Sequence, residues 1–425
     1  MTNILIKNGR IIDPANKVDM IGDLLIENGK IKAVGKIKDA TADTIIDAKD
    51  KIIAPGLIDL HVHLREPGRE EEETIASGSA AAVTGGFTSV ACMPNTDPAI
   101  DNEATVEFIL NRSAAAKMAN VFPVGAITKE RKGESLAEMG QMVRAGAVAF
   151  TDDGSGVQDP SVMLRAFQYA KMFNKVVMQH CQDDCLAGNG CMNAGYYATI
   201  LGLPGMSPLA EEIMLYRDVQ LAKAAGARYH AQHLSTAGSV DIVRQAKAQG
   251  LPVTAEATPH HLLLTEKECE TYDTNFKMNP PLRTQADLEA LRQGVADGTI
   301  DCLATDHAPH LKSAKELEFP AAPFGIVGLD CALGLYAKAL IESGTIDWPL
   351  LIKLMTINPA KILTIDKGTL SEGADADITI IDPNYKWKVD TTKFISKSQN
   401  CPYNDWQLTA KPVITIVGGQ IKFQL

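Results

Sequence analysis

Short apolar runs of strand length recur along the middle of the chain, and most are followed by alanine-rich or charged stretches of helical character. Eight such runs occur, at residues 53–59, 87–92, 121–127, 147–151, 176–179, 228–232, 252–255 and 302–305. Repeated strand and helix units are typical of a parallel sheet covered by helices. Eight repeats over roughly 300 residues favour a closed (β/α)8 TIM barrel over an open sheet.

Both ends of the chain show a different pattern, in which strand-like runs are separated by glycine turns. Asn8-Gly9 and Asn28-Gly29 are each predicted to form a tight hairpin turn, and Gly418-Gly419 repeats the style near the C-terminus. The first strands alone bury too little apolar surface to be stable. We therefore predict a composite β-sandwich domain formed by both chain ends. The predicted boundaries are 1–54 and 366–425 for this domain and 55–365 for the barrel.

The composition of the 425 residues excludes several classes of protein. Hydrophobic residues make up 45% and charged residues 22%, as in a globular protein and unlike a disordered or fibrous one. A formal net charge of −11 without a basic stripe argues against nucleic-acid binding. The N-terminus lacks a signal-peptide pattern and no stretch approaches a membrane span, so we expect a cytoplasmic protein with no membrane contact.

The eight cysteines are scattered without the regular spacing of a disulfide framework. Reduced, buried thiols are therefore expected. Cys181, Cys185 and Cys191 form the one cluster and follow His180. We interpret this cluster as packing, with a thiolate metal site as the less favoured alternative.

Histidine and aspartate side chains stand at the ends of several predicted strands. His61 and His63 follow the first run, and residues two apart in a strand face the same side, so both imidazoles are expected to point into the barrel. The other strand-end residues of this kind are Asp152, Asp153, His180, His233 and Asp306. Barrel enzymes build their active sites at the C-terminal ends of the strands. The pattern therefore predicts one shared site.

Four imidazoles and two carboxylates form a nitrogen and oxygen set suited to zinc, and large enough for two ions if one carboxylate bridges them. Manganese, cobalt and iron remain alternatives. Two close cations would lower the pKa of a shared water and hold the resulting metal-bound hydroxide beside a carbonyl. We assign Asp306 the role of general acid and base, accepting the proton and returning it to the leaving nitrogen. A role as ligand alone is the alternative.

Other polar residues receive structural interpretations. His230 has the opposite strand parity to His233 and is predicted to face the helices. His260 and His261 are adjacent, so at most one could join the site, and packing is favoured. The carboxylates of residues 70–73 are predicted to open a helix, where the dipole favours negative charge.

Seven motifs, in order along nearly the whole chain, resemble those of the bacterial class I dihydroorotases of the amidohydrolase superfamily. They are His61-Val62-His63-Leu64-Arg65-Glu66-Pro67-Gly68, Cys92-Met93-Pro94-Asn95-Thr96, Phe150-Thr151-Asp152-Asp153-Gly154, Gln232-His233-Leu234-Ser235, Met278-Asn279-Pro280-Pro281-Leu282-Arg283, Ala304-Thr305-Asp306-His307-Ala308-Pro309-His310 and Ala322-Pro323-Phe324-Gly325-Ile326-Val327-Gly328-Leu329. A His-X-His pair alone is weak evidence, whereas such an ordered series is highly specific.

The resemblance implies a binuclear zinc site. Its ligands would be His61, His63 and Asp306 for one ion and His180 and His233 for the other, with Asp153 as the bridge. Hydantoinases and allantoinases use a carboxylated lysine as that bridge, so an aspartate favours dihydroorotase. Asp152 is the alternative bridge, because a turn makes strand parity unreliable.

The resemblance also implies the reversible cyclisation of N-carbamoyl-L-aspartate to dihydroorotate, a step of pyrimidine biosynthesis. This substrate carries a carboxylate outside its ring, and the planar guanidinium of Arg65 is predicted to bind it. The other substrate-binding residues that the resemblance implies are Asn95, Asn279, His310 and the backbone at Phe324 and Gly325.

Two alternative functions stay open at this point. A hydantoinase or allantoinase would share the fold and the metals but would not need Arg65 to bind a carboxylate. An inactive scaffold subunit for aspartate transcarbamoylase is the other, although inactive copies lose ligands and all six are present here. An active enzyme is also compatible with two kinds of partner, a second copy of the chain in a homodimer and aspartate transcarbamoylase.

Overall fold

The computed structural model describes residues 3–38 and 41–425 of the chain. Part of the predicted segment 1–54 lies outside the described residues, namely Met1, Thr2, Asp39 and Ala40. The strands are β1 Ile4–Asp13, β2 Val18–Glu27, β3 Lys30–Gly35, β4 Thr44–Asp47, β5 Ile52–Pro55, β6 Leu57–Val62, β7 Phe87–Cys92, β8 Asn120–Gly125, β9 Ala149–Phe150, β10 Val176–Gln179, β11 Met192–Asn193, β12 Gly205–Met206, β13 Tyr229–Ala231, β14 Val253–Ala257, β15 Cys302–Leu303, β16 Ile378–Lys388, β17 Gln407–Val417 and β18 Gln420–Gln424.

Helices follow most of the barrel strands. The α-helices are α1 Ile75–Thr84, α2 Glu103–Ala116, α3 Met139–Ala145, α4 Pro160–Lys171, α5 Asp184–Ala187, α6 Tyr196–Leu201, α7 Leu209–Ala225, α8 Ala237–Ala248, α9 Pro259–Leu263, α10 Gln285–Ala296, α11 Lys312–Lys315, α12 Ala332–Tyr336, α13 Trp348–Met355 and α14 Ile357–Leu363. Short 3-10 segments cover Lys129–Arg131, Glu266–Thr271, Thr274–Phe276 and Thr391–Lys393, and a π-helical turn covers Ala337–Ile341. Within the described ranges, no helix is both long and apolar enough to cross a membrane.

The central sheet is parallel and follows chain order from β6 through β7, β8, β9, β10, β13 and β14 to β15. A parallel bridge between Val62 and His307 links its two ends, and the amide of His63 donates to the carbonyl of His307 at 2.9 Å. The sheet is therefore a nearly closed barrel of eight strands. This confirms the predicted (β/α)8 fold.

The barrel interior is apolar away from the strand ends that carry the polar residues. A buried cluster inside it includes Leu60 of β6, Met93 beyond β7 and Met178 of β10, and Ile362 and Leu363 of α14 pack against them. Such a filled interior is the normal core of this fold and leaves no pore. The predicted site residues lie at the opposite, C-terminal ends of the strands.

The first predicted run, residues 53–59, belongs to two sheets and not to one strand. Ile52–Pro55 pairs with β1 and β16 in the sheet of the chain ends, and the barrel strand begins at Leu57. Gly56 separates them, and a Cβ at this position would lie 2.0 Å from Oγ1 of Thr88. Only a glycine fits at this position, because any side chain would clash with Thr88 of the neighbouring strand β7.

The strands of both chain ends join in one mixed sheet, in the order β18, β17, β16, β5, β1, β2, β3, with β4 paired to β1. Its buried face is mainly isoleucine, and Ile53, Ile378 and Ile416 lie in one cluster. β16 pairs antiparallel with both β5 and β17, so the C-terminal strands are tied to the N-terminal ones. This is the composite domain that the repeated strand pattern predicts.

Of the two Asn-Gly turns predicted near the N-terminus, one is correct. Asn28-Gly29 connects β2 and β3, with φ of 52° and 79° as a type I′ turn requires. Asn8-Gly9 lies inside β1, where the pairing with β2 shifts register. A Cβ at Gly9 would lie 2.5 Å from Cδ1 of Ile53. The pair forms a bulge because Gly9 packs directly against another strand.

Candidate metal centre and its cavity

The six predicted ligand residues converge at the C-terminal ends of the barrel strands. They are His61, His63, Asp153, His180, His233 and Asp306, and none is more than 5% exposed. His61 lies in β6 and His63 directly follows it. His233 and Asp306 have positive φ values of 31° and 48°, so the chain turns sharply just after β13 and β15. These turns bring their side chains to the barrel axis.

Asp153 lies between two pairs of imidazoles. Its Oδ2 is 3.4 Å from Nε2 of both His61 and His63. Its Oδ1 is 3.7 Å from Nδ1 of His180 and 3.5 Å from Nε2 of His233. The two oxygens of one carboxylate therefore face two separate nitrogen pairs, which is the arrangement of a bridging ligand.

Asp306 lies on the His61 and His63 side of the cluster. Its Oδ1 is 2.9 Å from Nε2 of His63 and 3.4 Å from Nε2 of His61. Tetrahedral zinc ligands at about 2.0 to 2.2 Å from the ion lie about 3.4 Å from one another. The separations in the cluster fall around this value, so the residues fit one ion on each side of Asp153.

Two atoms of the cluster that could bind a metal make no hydrogen bond in the described part of the protein. Nε2 of His61 and Oδ1 of Asp153 are buried without a hydrogen-bond partner among the described residues. Buried polar atoms without partners are costly unless a ligand satisfies them. They lie within groups of histidine and carboxylate atoms at metal-ligand spacing, so a bound cation would satisfy them.

The charge states of the cluster also suit a cation. Burial and the neighbouring His233 lower the pKa of His180 to about 4, so its imidazole is neutral at pH 7. Burial alone would raise the pKa of Asp153, but the imidazoles of His61 and His233 outweigh it and hold that pKa well below its usual range. Burial lowers the pKa of His61 and of His233, but the carboxylates of Asp153 and Asp306 outweigh burial and raise both. Metals bind neutral imidazoles and ionised carboxylates, so a cation at the cluster would take the place of protons on these two imidazoles.

Asp152, the alternative bridge, points away from the cluster. Its Oδ1 accepts from the amides of Ile127 and Thr128 at 2.8 and 3.0 Å, and its Oδ2 accepts from the hydroxyl of Thr128. This carboxylate orders the loop after β8. The geometry thus favours Asp153 as the residue between the two sides.

A second layer of polar residues, which the sequence patterns do not predict, contacts the cluster from outside. Glu256 of β14 accepts from Nδ1 of His61 at 2.6 Å and from the amide of His233 at 3.0 Å. Its other oxygen is 3.0 Å from Nε2 of His230. The prediction that His230 faces the helices is wrong. β13 ends at Ala231, and His233 has positive φ, so strand parity does not extend from His230 to His233.

The bond from His61 to Glu256 fixes which nitrogen of His61 carries the proton. With Nδ1 donating to the carboxylate, Nε2 presents its lone pair to the cluster. The sequence signal for Glu256 is its single charge within the apolar segment Val253–Ala257. A charged residue in a buried barrel strand needs a partner, and here the partner is His61.

Replacing Glu256 with glutamine is expected to lower the affinity of the cluster for zinc about 10 to 100-fold, because His61 loses the acceptor that orients it. Competition with a coloured chelator measures this affinity directly. Asp218→Asn is the matched control, since Asp218 is an equally buried carboxylate that contacts Gln179 and Arg217 and no cluster residue. Equal zinc affinity in Glu256→Gln and the wild type would exclude the orienting role.

A cavity of about 320 Å³, called here the central cavity, opens over the cluster. Its walls include His63, Asp153, His180, His233 and Asp306, together with the predicted substrate residues Arg65, Asn95, Asn279, His310 and Phe324. Arg69, Gly154, Met278, Ala308 and Pro323 complete the lining. His61 is not in this lining, because it is fully buried below the cavity.

The predicted substrate residues reach the cavity from several loops. Arg65 is 4% exposed and donates from Nε to the carbonyl of Pro309 at 3.0 Å. Oδ1 of Asn95 accepts from Nδ1 of His63 at 2.8 Å, so Asn95 also orients a cluster histidine. Asn279 donates to Oε1 of Gln182 at 2.9 Å, and its Oδ1 is buried without a partner among the described residues.

Gly325 lies behind the cavity wall and not on its surface. Its amide donates to the carbonyl of Lys277 at 3.0 Å, and its carbonyl accepts from Nζ of Lys315 at 3.1 Å. A Cβ here would lie 2.8 Å from the carbonyl of Ala308, and φ is +151°, so only glycine fits. Gly325 therefore shapes the wall, while Phe324 forms its surface.

The carboxylates of residues 70–73 do not open a helix. α1 begins at Ile75 with Thr74 as its N-cap and has no acidic residue in its first turn. Glu72 and Glu73 are buried instead, and Glu73 bonds the hydroxyl of Ser396 at 2.5 Å. Glu70 and Glu71 stay exposed, whereas Glu72 and Glu73 are buried because basic and polar partners from other loops contact them.

The remaining conspicuous residues do not join the cluster. His261 bonds Thr258 and the carbonyl of Pro280, which agrees with packing. In the described structure, the groups with metal-ligand spacing include none of Cys181, Cys185 and Cys191. Cys181 lies 3.1 Å from the hydroxyl of Tyr229, and burial raises its pKa well above the usual range.

Known proteins resemble the chain in both sequence and fold. The model of the family described as dihydro-orotase-like matches residues 50–239. A dihydroorotase from Pelotomaculum thermopropionicum is 51% identical over 99% of this chain and 98% of its own, and one from Geobacter sp. (strain M21) is 50% identical over 99% of both. An L-hydantoinase (dihydropyrimidinase) from Arthrobacter aurescens has a similar structure, with a TM-score of 0.88 and 26% identity over 100% of this chain and 96% of that one.

Proposed function

The chain belongs to the dihydroorotase family of cyclic amidohydrolases, and we propose that the residues of the central cavity carry out its reaction, the reversible cyclisation of N-carbamoyl-L-aspartate to dihydroorotate. The observation that carries this proposal is the carboxylate of Asp153 between two imidazole pairs, on the floor of a cavity whose wall contains the buried guanidinium of Arg65. The first feature suits hydrolysis of an amide, and the second suits an anionic substrate.

The six cluster residues would hold two zinc ions. His61, His63 and Asp306 would bind one, His180 and His233 the other, and Asp153 both. When bound, such ions lower the pKa of water and polarise a carbonyl, which supplies the nucleophile and the electrophile of amide hydrolysis. The proposal of two ions is supported by two groups of residues at metal-ligand spacing that share Asp153, namely His61, His63 and Asp153, and Asp153, His180 and His233.

The residues of the cavity wall would bind and orient the ring. Arg65 offers a planar fork for the exocyclic carboxylate, and His310 lies beside it with Nε2 3.3 Å from Nη2 of Arg65. The free Oδ1 of Asn279 is an acceptor for a ring N–H. Phe324 gives the cavity an apolar side that excludes water from the ring face. Binding at both ends would fix the scissile amide over the cluster.

Asp306 would move the proton. Burial opposes ionisation of its carboxyl, but His61 and His63 outweigh burial and lower its pKa. As an ionised group in the cavity wall, it can accept a proton from the attacking water and return it to the ring nitrogen as the amide bond breaks. Ring closure follows the same path in reverse.

Arg65→Met is expected to raise the KM for dihydroorotate roughly 100-fold, because a charge-assisted pair with the carboxylate is lost. The wild-type chain should hydrolyse the ring of dihydroorotate, and the loss of ultraviolet absorbance measures the rate of this reaction. Dihydrouracil is the matched ring without the carboxylate, and its slower hydrolysis, or its inhibition constant, should change little in the variant. Equal losses for both rings would contradict the role of Arg65, and a wild-type preference for dihydrouracil would contradict the function.

The alternative functions are less well supported. The likeness to the Arthrobacter aurescens L-hydantoinase covers the fold at 26% identity, whereas the dihydroorotase relatives are about half identical over the full chain. A hydantoinase would need no buried guanidinium beside the metal centre. An inactive scaffold would have lost ligands, and here the six side chains meet at ligand spacing.

We also propose the domain boundaries, the location and the partners of the chain. The sheet topology supports boundaries near residues 54 and 366. The eight cysteines are all free thiols in the described structure, which supports a reducing, cytoplasmic location. The homodimer and the association with aspartate transcarbamoylase stay predictions of the resemblance. The mass of the purified protein in solution tests the first, and the mass after mixing with aspartate transcarbamoylase tests the second.

A further inference from the structure

Glu72 lies at the centre of three basic side chains at one end of the central cavity. Its Oε2 is 3.4 Å from Nε of Arg65 and 3.6 Å from Nη1 of Arg69, and its Oε1 is 3.4 Å from Nδ1 of His310. All three basic residues line the cavity, whereas Glu72 lies behind them. This group of four residues is called here the Glu72 cluster. One carboxylate thus faces every basic group at this end.

The contacts in the Glu72 cluster are attractive but are not short hydrogen bonds. Charge-assisted bonds between guanidinium and carboxylate groups are about 2.7 to 2.9 Å long, and the distances here are longer. Oε2 of Glu72 is buried and has no hydrogen-bond partner among the described residues. Attraction to the charge of Glu72 therefore holds both arginines beside it, and Glu72 accepts no short hydrogen bond from their N–H groups.

Arg69 occupies the outer position of the cluster. Its Nη2 donates to the carbonyl of Asn95 at 3.0 Å, and its side chain is 36% exposed. Nε of Arg65 and Nη1 of Arg69 lie 3.4 and 3.6 Å from the same oxygen, Oε2 of Glu72. Two guanidinium groups that face one carboxylate oxygen repel each other, and the negative charge of Glu72 offsets this repulsion.

We propose that Arg69 is a second residue that binds the substrate's carboxylate, and that Glu72 is a positioning residue that holds Arg65 and Arg69 together for this purpose. The inference rests on the proposed function, because it concerns the carboxylate of the same substrate. Two arginines and one glutamate leave a net charge of +1, which matches the single carboxylate outside the ring of dihydroorotate. Arg69 also extends the site that binds the anion from the buried Arg65 to the exposed edge of the central cavity.

Arg69→Gln is expected to raise the KM for dihydroorotate about tenfold with little change in kcat, because a partly exposed charge-assisted contact is lost far from the reacting amide. The inhibition constant of dihydrouracil should stay the same. Arg244→Gln is the matched control. Arg244 is 41% exposed and pairs with Asp241, also three residues away, but it lies on α8. An unchanged KM in Arg69→Gln overturns the binding role.

Glu72→Gln separates positioning from simple charge repulsion. If Glu72 holds the arginines in place, Glu72→Gln should raise the KM for dihydroorotate several-fold. In the double variant with Arg69→Gln, the total increase in KM should be smaller than the product of the increases in the two single variants. If Glu72 only repels the anionic substrate, the KM should fall. A lower KM, or independent effects of the two changes, overturns the positioning role. Unchanged zinc content in each variant shows that the metal centre is intact.

These outcomes differ from those that would refute the proposed function. A wild-type chain that does not open dihydroorotate refutes the function itself. A wild-type chain that opens dihydroorotate, combined with an Arg69→Gln variant of unchanged KM, refutes only the inference about the Glu72 cluster.

Discussion

His61→Ala is expected to remove zinc and dihydroorotase activity together, with kcat/KM falling by roughly a thousandfold or more. Nε2 of His61 lies 3.4 Å from both Asp153 and Asp306, so its loss opens one side of the cluster and weakens the bridge to the other. Elemental analysis of the purified variant gives the metal content per chain, and initial rates give the activity. The wild type should contain close to two zinc ions per chain.

His261→Ala is the matched control for the loss of a buried imidazole. His261 is as inaccessible as His61, but it bonds only Thr258 and the carbonyl of Pro280. Both variants leave a cavity in the barrel and should lower the melting temperature. Only His61→Ala should lose zinc. Full metal content in purified His61→Ala would show that the ligand assignment is wrong.

The parts of the fold that the sequence predicts are those with a local signal. An apolar run of four to seven residues, followed by a helical stretch, marks a barrel strand wherever the strand is buried on both faces. The strand-end residues His180, His233 and Asp306 were identifiable because the C-terminal ends of parallel strands meet on one face. Their place in the site could be predicted without knowing which residues they contact.

The features that the sequence did not predict depend on contacts between distant segments. Gly56 divides one apolar run between two sheets because Thr88 of the next strand lies against it. Glu256 and His230 pair inside the barrel because β13 and β14 are neighbours. Strand parity also fails wherever the backbone turns, as it does at His233. Periodicity describes only residues that share one regular strand.

The burial of Glu72 and Glu73 could not be predicted for the same reason. Four consecutive carboxylates are usual at the start of a helix, and nothing in residues 70–73 shows that Arg65 and His310 will meet Glu72. His310 comes from the loop after β15, more than 200 residues further along the chain. Such a cluster is visible only once the barrel has brought these loops together.

Asp306→Asn is expected to lower kcat for dihydroorotate by a factor of about 100 to 10,000, the usual range for the loss of a general acid and base. KM should change far less than in Arg65→Met, because Asp306 contacts His61 and His63 and not the residues predicted to bind the carboxylate. Steady-state kinetics over a range of substrate concentrations separates the two parameters. Asp330→Asn is the control, since that buried carboxylate accepts from the amide of Ile395 outside the cavity.

Zinc supplementation distinguishes the two roles that Asp306 can have. If it is only a ligand, the variant should lose zinc, and excess zinc in the assay should restore most of kcat by mass action. If it carries the proton, the variant should regain zinc but not kcat, because an asparagine amide cannot accept the proton of the attacking water. The His61, His63 and Asp153 group and the Asp153, His180 and His233 group both remain in the variant, so it retains the ligands needed to rebind metal. Recovery of kcat with zinc would therefore move the proton-transfer role to another residue of the cavity.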